Sequence, residues 1–265
     1  MLAAAPLLLS TRAANASPRP LPFSYPYQTL PEDSLEVEQY VDYTPARIEE
    51  TQDDGSKKRS WDGNYVVQTE LEYGITDRLE LGTYMVFEQF AATDPKMTFD
   101  GIKERLRYRI AEEGQLPVDI ALYLELAELH DEFEIEEKVI LAKRFGNLRA
   151  MANLWVEQEI ERGKDKPTYL YNPTFGLTYQ VIQKLWLGAE YWARGRFSKD
   201  AVATDPIDTF NQETHHFLGP AVSLQFGRFW WTVGAYYRLD HTKRAAMVGD
   251  QMGKVWVRSV LGLDL

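Results

Sequence analysis

Val118-Asp119-Ile120-Ala121-Leu122-Tyr123-Leu124-Glu125-Leu126-Ala127 alternates without a break. Val118, Ile120, Leu122, Leu124 and Leu126 share one parity, and Asp119, Ala121, Tyr123, Glu125 and Ala127 hold the other. Successive side chains of a strand point to opposite faces, so this segment has one continuously oily face and one that carries charge and small residues. The same unit recurs at 79–88 and at 185–194, and Val255, Val257, Leu261, Leu263 and Leu265 keep the parity to the last residue. A unit of roughly ten alternating residues, repeated about a dozen times, is the pattern of a transmembrane barrel.

Strands are expected at 35–47, 64–75, 78–90, 98–111, 118–128, 134–145, 148–160, 169–181, 185–196, 216–226, 229–239 and 254–265. Short turns at Thr76-Asp77, Gly114-Gln115, Gly146-Asn147, Gln183-Lys184 and Gly227-Arg228 alternate with polar connections at 49–63, 91–97, 130–133, 162–167, 198–215 and 240–253. Outer-membrane barrels place short turns in the periplasm and long loops outside. A soluble sheet also alternates where one face is solvated. It has no reason to order its connections by length, or to mix charge with bulky aromatics on its polar face. The expected fold is therefore all-β: a closed antiparallel transmembrane β-barrel of about twelve strands in a bacterial outer membrane, with lipid around it.

The composition narrows the function. With 265 residues, a formal net charge of -11 and no basic stripe, nucleic acid is excluded as a partner. Absence of cysteine removes disulfides, thiolate metal sites and cysteine nucleophiles together. Residues 2–9 are apolar, and Ala14-Asn15-Ala16 before Ser17 fits a signal-peptidase site, so residues 1–16 read as a signal peptide. Pro18, Pro20, Pro22, Pro26 and Pro31 deny 17–33 a helix or a central strand, and it reads as a periplasmic lead-in to a barrel spanning 34–265.

If the oily parity faces lipid, the other parity lines the lumen. Lys103, Arg105, Arg107 and Arg109 then share one inner face, with Glu70, Glu72, Glu80, Glu88, Asp119 and Glu125 on nearby strands. Four cations on one strand are unfavourable in a low-dielectric wall unless carboxylates lie within reach, so a salt-bridge ladder is expected. Trp155, Trp186, Trp192, Trp230 and Trp256 also face inward, with Glu190, Arg194, Arg196, Tyr236, Arg238 and Arg258 beside them. Aromatic belts normally face lipid at the two interfaces, as Tyr171, Tyr179, Tyr191, Trp231 and Tyr237 do by parity. Inward tryptophans either plug the lumen by packing or form a stacking path for an aromatic or amphipathic solute.

No catalytic constellation stands out. His130, His215, His216 and His241 all fall in or beside outer connections, and no serine of matching parity flanks His216 for a lipid-hydrolysing rim site. The acidic stretches at 49–54 and 130–132 lack the spacing of a calcium loop. No resident metal, cofactor or enzymatic activity is expected.

Glu72-Tyr73-Gly74-Ile75-Thr76-Asp77-Arg78-Leu79-Glu80-Leu81-Gly82 resembles a hairpin of outer-membrane β-barrel "transporter" proteins of the meta-pathway phenol-degradation type. Leu30-Pro31-Glu32-Asp33-Ser34-Leu35-Glu36-Val37-Glu38 is similar to the first strand of the same group. The resemblance implies an outer-membrane channel or facilitator for small, often hydrophobic molecules. It carries over no site residues, and the charged interior departs from a purely hydrophobic path. Two other functions remain open: a non-conducting barrel that docks an envelope protein partner, and a lipid-acting rim enzyme.

Overall fold

The computed structural model describes residues 19–91, 94–198, 212–240, 248, 250 and 252–265. The 1–16 signal segment and His241 lie outside these residues. Thirteen strands follow in order: β1 (Leu35–Thr51), β2 (Lys57–Thr76), β3 (Leu79–Phe90), β4 (Asp94–Arg109), β5 (Asp119–Leu129), β6 (Glu132–Phe145), β7 (Leu148–Glu161), β8 (Thr168–Tyr171), β9 (Thr174–Ile182), β10 (Leu185–Arg196), β11 (His215–Phe226), β12 (Phe229–Arg238) and β13 (Val255–Asp264). Each pairs antiparallel with its neighbour, and β13 closes on β1 from Glu36↔Asp264 to Tyr43↔Val257. Both β8 and β9 lie between β7 and β10, so they fill one position of a closed wall of 12 strands. The interruption falls at Asn172-Pro173, because proline has no N–H for the ladder. Its neighbours keep the wall joined: Asn172 N–H donates to the Trp155 carbonyl at 3.1 Å, and Ala193 N–H donates to the Pro173 carbonyl at 3.1 Å.

The outside of the wall is apolar. Leu71, Met85, Leu122, Leu124, Leu154, Leu177, Leu187 and Leu218 are exposed, while residues of the opposite parity are buried inside. A belt of this extent is unstable in water and suits hydrocarbon. Glu104 and Glu137 interrupt it. No helix of the described residues is long and apolar enough to cross a membrane.

Several connections differ from expectation. The polar stretch 49–63 is mostly strand, with β1 and β2 paired out to Thr51↔Lys57. Its alternation is polar rather than oily, so hydrophobic period gives no signal there. Cross-strand charge supports it instead: Glu49 accepts from Lys57 at 2.6 Å and from Arg59 at 2.8 Å. In the same way β4 starts at Asp94 and β6 at Glu132, which shortens two connections expected to be loops. At the other end, the Gly114-Gln115 turn belongs to a longer connection steadied by Gly114 N–H donating to Asp119 at 2.7 Å.

The largest correction concerns the proline-rich lead-in. Residues 19–30 lie inside the barrel, with 19–27 all buried, and Pro31 is exposed where the segment leaves it. Ser24 N–H donates to Glu190 at 2.5 Å, Tyr25 N–H to Asn153 at 2.6 Å and Leu30 N–H to Glu80 at 2.7 Å. Leu21 lies where a Cβ on Gly176 or Gly188 would collide with it, so two wall glycines make room for the segment. The segment is thus a plug. It is too short of regular hydrogen bonds to stand alone, and the polar inner wall supplies the missing partners.

Asp53 and Lys184 lie in connections at opposite ends of the wall. A cysteine replacing Asp53 should react with a membrane-impermeant maleimide on intact cells. One replacing Lys184 should react only after permeabilisation. The folded barrel should migrate faster on gels before boiling than after.

Candidate functional site: the plugged lumen

The half of the lumen nearer the short turns holds five carboxylates on β1, β2 and β3: Glu36, Glu38, Glu70, Glu72 and Glu80. Arg105 reaches three of them, donating through Nε to Glu70 at 2.6 Å, through Nη1 to Glu80 at 2.5 Å and through Nη2 to Glu72. Arg107 donates to both Glu80 oxygens at 2.7 and 2.8 Å. The Tyr40 hydroxyl meets Glu38 and lies 2.8 Å from Glu70, and Arg19 of the plug donates to the same hydroxyl at 2.9 Å. Three guanidinium groups thus face five carboxylates. Gly82 opposite Arg105 is needed for this, since a Cβ there would press on both the guanidinium and Glu70.

Toward the other end, Lys103 lies 3.4 Å from both Glu125 and Glu134. Lys138 pairs with Glu136, and Arg194 donates to Glu157 at 2.9 Å and to Glu159 at 2.8 Å. Arg258 holds Asp42 through two bonds of 2.7 and 2.6 Å, and Trp256 Nε1 donates to the same carboxylate at 3.0 Å. Arg238 grips Asp250 in the same bidentate manner, at 3.1 and 2.6 Å.

Between the two halves sits an aromatic clamp. The Phe23 ring of the plug lies 4.5 Å from Trp192, 5.1 Å from Tyr236 and 6.1 Å from Trp256, with the Arg258 guanidinium 3.9 Å above it. Trp192 in turn stacks on Phe217 at 4.0 Å. Glu190 takes the Phe23 and Ser24 N–H groups and the Tyr236 hydroxyl. The inward tryptophans at 192 and 256 therefore pack against the plug.

The other expected lumen residues are more scattered. Trp230 is buried and donates to Glu36. Arg109 is partly exposed near the short-turn end, donating to the Asp77 carbonyl at 2.7 Å and pairing with Glu112 at 2.8 Å. Trp186 is half-buried beside a register shift between Leu185 and Trp186. Asp119 caps the β4–β5 connection and takes no part in the ion-pair ladder shown by Arg105 and Arg107. Among the rim histidines, His215 Nδ1 lies 2.9 Å from Asp240 and His216 Nδ1 lies 2.7 Å from the Tyr191 hydroxyl. Asp240, beyond β12, is pushed up by burial, but the His216 N–H and His215 outweigh that and hold it below the usual carboxylate range.

Sequence reasoning overlooked the inner residues of β1, β6 and β7: Glu36, Glu38, Asp42, Glu134, Glu136, Lys138, Asn153, Glu157 and Glu159. The parity rule applied strand by strand contains them all. The run of four cations on β4 is the stronger local signal.

No protein-family model matches the sequence, and no curated protein matches it. The fold is shared with solved outer-membrane barrels. The COG4313 outer membrane channel from Pseudomonas putida F1 matches with a TM-score of 0.64 at 9% identity, over 90% of this chain and 98% of that one. The NanC porin matches with a TM-score of 0.56 at 8% identity, over 87% and 98%. The translocator domain of autotransporter NalP from Neisseria meningitidis matches with a TM-score of 0.52 at 8% identity, over 87% and 88%. Likeness at this identity is one of fold.

Replacing Arg105 by Met should take the shared cation from Glu70 and Glu72, while Glu80 keeps Arg107, and lower stability by about 3–5 kcal/mol. Adding Glu72→Gln to that variant should recover part of the loss. Urea titration of detergent-solubilised protein, followed by heat-modifiability, measures both. Lys57→Ala, in the exposed hairpin, should leave the transition where it is.

Proposed function

We propose that this chain is a bacterial outer-membrane channel for small solutes, at rest closed by residues 19–31. The observation that carries the reading is the separateness of the closure. The lumen is filled by a segment outside the wall, held by hydrogen bonds to side chains and by ring packing, and none of residues 19–31 belongs to a strand. Withdrawal of that segment leaves a closed wall lined by ionised groups of both signs, as a water-filled pore requires. The likeness to channel and porin folds agrees with it.

The clamp also bears on the solute. Phe23 occupies a cage of Trp192, Tyr236 and Trp256, backed by Phe217 stacked on Trp192, and a small aromatic or amphipathic molecule offers the same surface to the same rings. Such a solute competes with the plug for the cage, so binding and opening become one event. A docking barrel, by contrast, has its plug as a permanent core.

The chain has no cysteine, which makes a lock simple to build. Ser24 and Thr174 hydroxyls lie 2.8 Å apart, one on the plug and one on the wall. In planar bilayers, deletion of residues 19–31 should raise single-channel conductance several-fold. The Ser24→Cys/Thr174→Cys pair should fall silent on oxidation and recover on reduction. A deletion variant that remains heat-modifiable yet electrically silent would overturn the channel reading in favour of a docking barrel.

A further inference from the structure

The lumen retains a cavity of about 160 Å³ beyond the plug, between Phe23 and Tyr25 and the outer half of β6, β7 and β10. We propose that it is a binding site for a small primary amine with an aromatic or other compact apolar body. As a step in passage this rests on the channel reading. As a binding site it does not.

Glu125, Glu134, Glu136 and Glu157 line the cavity with Lys103, Lys138, Arg194 and Arg258, and each of these four cations already has a carboxylate partner, Arg258 through Asp42. The acid excess lies at the edge of the cavity, where Glu132 and Glu159 stand beside Glu134. Carboxylate oxygens of Glu132, Glu134 and Glu159 lie within 4.8 Å of one another. Glu132 takes no hydrogen bond and no ion pair among the described residues. Like charges this close in a confined space favour a further cation over the crowded pocket alone.

Trp192 is 1% exposed and its indole N–H has no hydrogen-bond partner, and the side-chain carbonyl of Asn172, 5% exposed, has none either. Both residues line the cavity, as does Trp155, whose indole N–H is also unpartnered. Buried polar groups are normally satisfied, so a wall with two spare donors and a spare acceptor is prepared for a polar guest.

The wall itself holds a precedent. The Lys138 ammonium sits over three rings, 4.1 Å from Tyr25, 3.9 Å from Tyr123 and 3.9 Å from Trp155. An alkylammonium group among aromatic faces is therefore an arrangement this lumen already stabilises. Calcium asks instead for six or more oxygen ligands, and here indole and phenol rings occupy much of the shell. The carboxylates hold the ammonium, and the rings and free indole N–H groups take the body and any acceptor it carries.

Titration calorimetry on the plugged, detergent-solubilised protein tests this with 2-phenylethylamine, phenylacetate and calcium chloride. The amine should bind saturably at one site, and phenylacetate, with the same ring and the opposite charge, should not. Glu132→Gln/Glu159→Gln should weaken the amine at least tenfold. Heat-modifiability reports folding, and should the double variant misfold, Glu132→Gln alone carries the comparison. The proposal is overturned if phenylacetate binds as well as the amine, if calcium binds and the amine does not, or if the glutamate variants leave amine affinity unchanged. Binding by a protein that stays silent in bilayers, even without its plug, keeps the site and rejects the channel. A conducting protein that ignores the amine does the reverse.

Discussion

The structure depends on how an irregular backbone can lie at membrane depth. Amide groups outside regular structure cannot be left unpaired there, and nothing in hydrocarbon can pair them. The inner wall resolves this for residues 19–31 with side chains: Glu190 for Phe23 and Ser24, Asn153 for Tyr25, Glu80 for Leu30. The Asn153 amide also donates back to the Tyr25 carbonyl at 3.2 Å. Once those acceptors are fixed, much else follows. Glu190 and Glu80 are buried, so cations or hydroxyls must stand beside them, and Arg107 and Tyr236 do.

The interior is best understood as two charge-bearing floors joined by an aromatic collar. Nearer the short turns, guanidinium groups are shared among carboxylates so densely that Arg105 alone touches three. Nearer the other end the ratio of acid to base is similar, but the packing is looser and a cavity persists. The collar around Phe23 separates them. Paired buried charges add little net stability, yet breaking one partner out is costly, which makes such a network a fixture of geometry more than a source of strength.

Much of the wall was legible in the sequence because a strand's period is two and one face had to be oily. The parity of 118–127 places Glu125 inward and Leu124 outward, and the structure agrees at both. Arg105 and Arg107 were likewise legible as needing carboxylates, and Glu72 and Glu80 as candidates. The polar hairpin of β1 and β2 was not, since charge pairing such as Glu49 with Lys57 leaves no hydrophobic period. The plug was the least legible part. Its prolines exclude helix and central strand but say nothing of where the chain goes, and its wall partners lie 167, 128 and 50 residues away in sequence. The inward tryptophans were recognised as an anomaly, and only the ring of Phe23 explains Trp192 and Trp256.

Those separations also order events in time. Residues 19–31 precede every strand, yet the groups that seat them come from β3, β7, β10 and, through Thr232 and the Arg19 carbonyl, β12. The first part of the barrel region to be synthesised is thus among the last to find its place, after the sheet has curled most of the way round. A strand-forming sequence directly before β1 would compete for the edge that β13 takes. Pro20, Pro22, Pro26 and Pro31 remove the N–H groups such pairing needs. The same residues that make the segment an irregular plug keep it from becoming a thirteenth position in the wall.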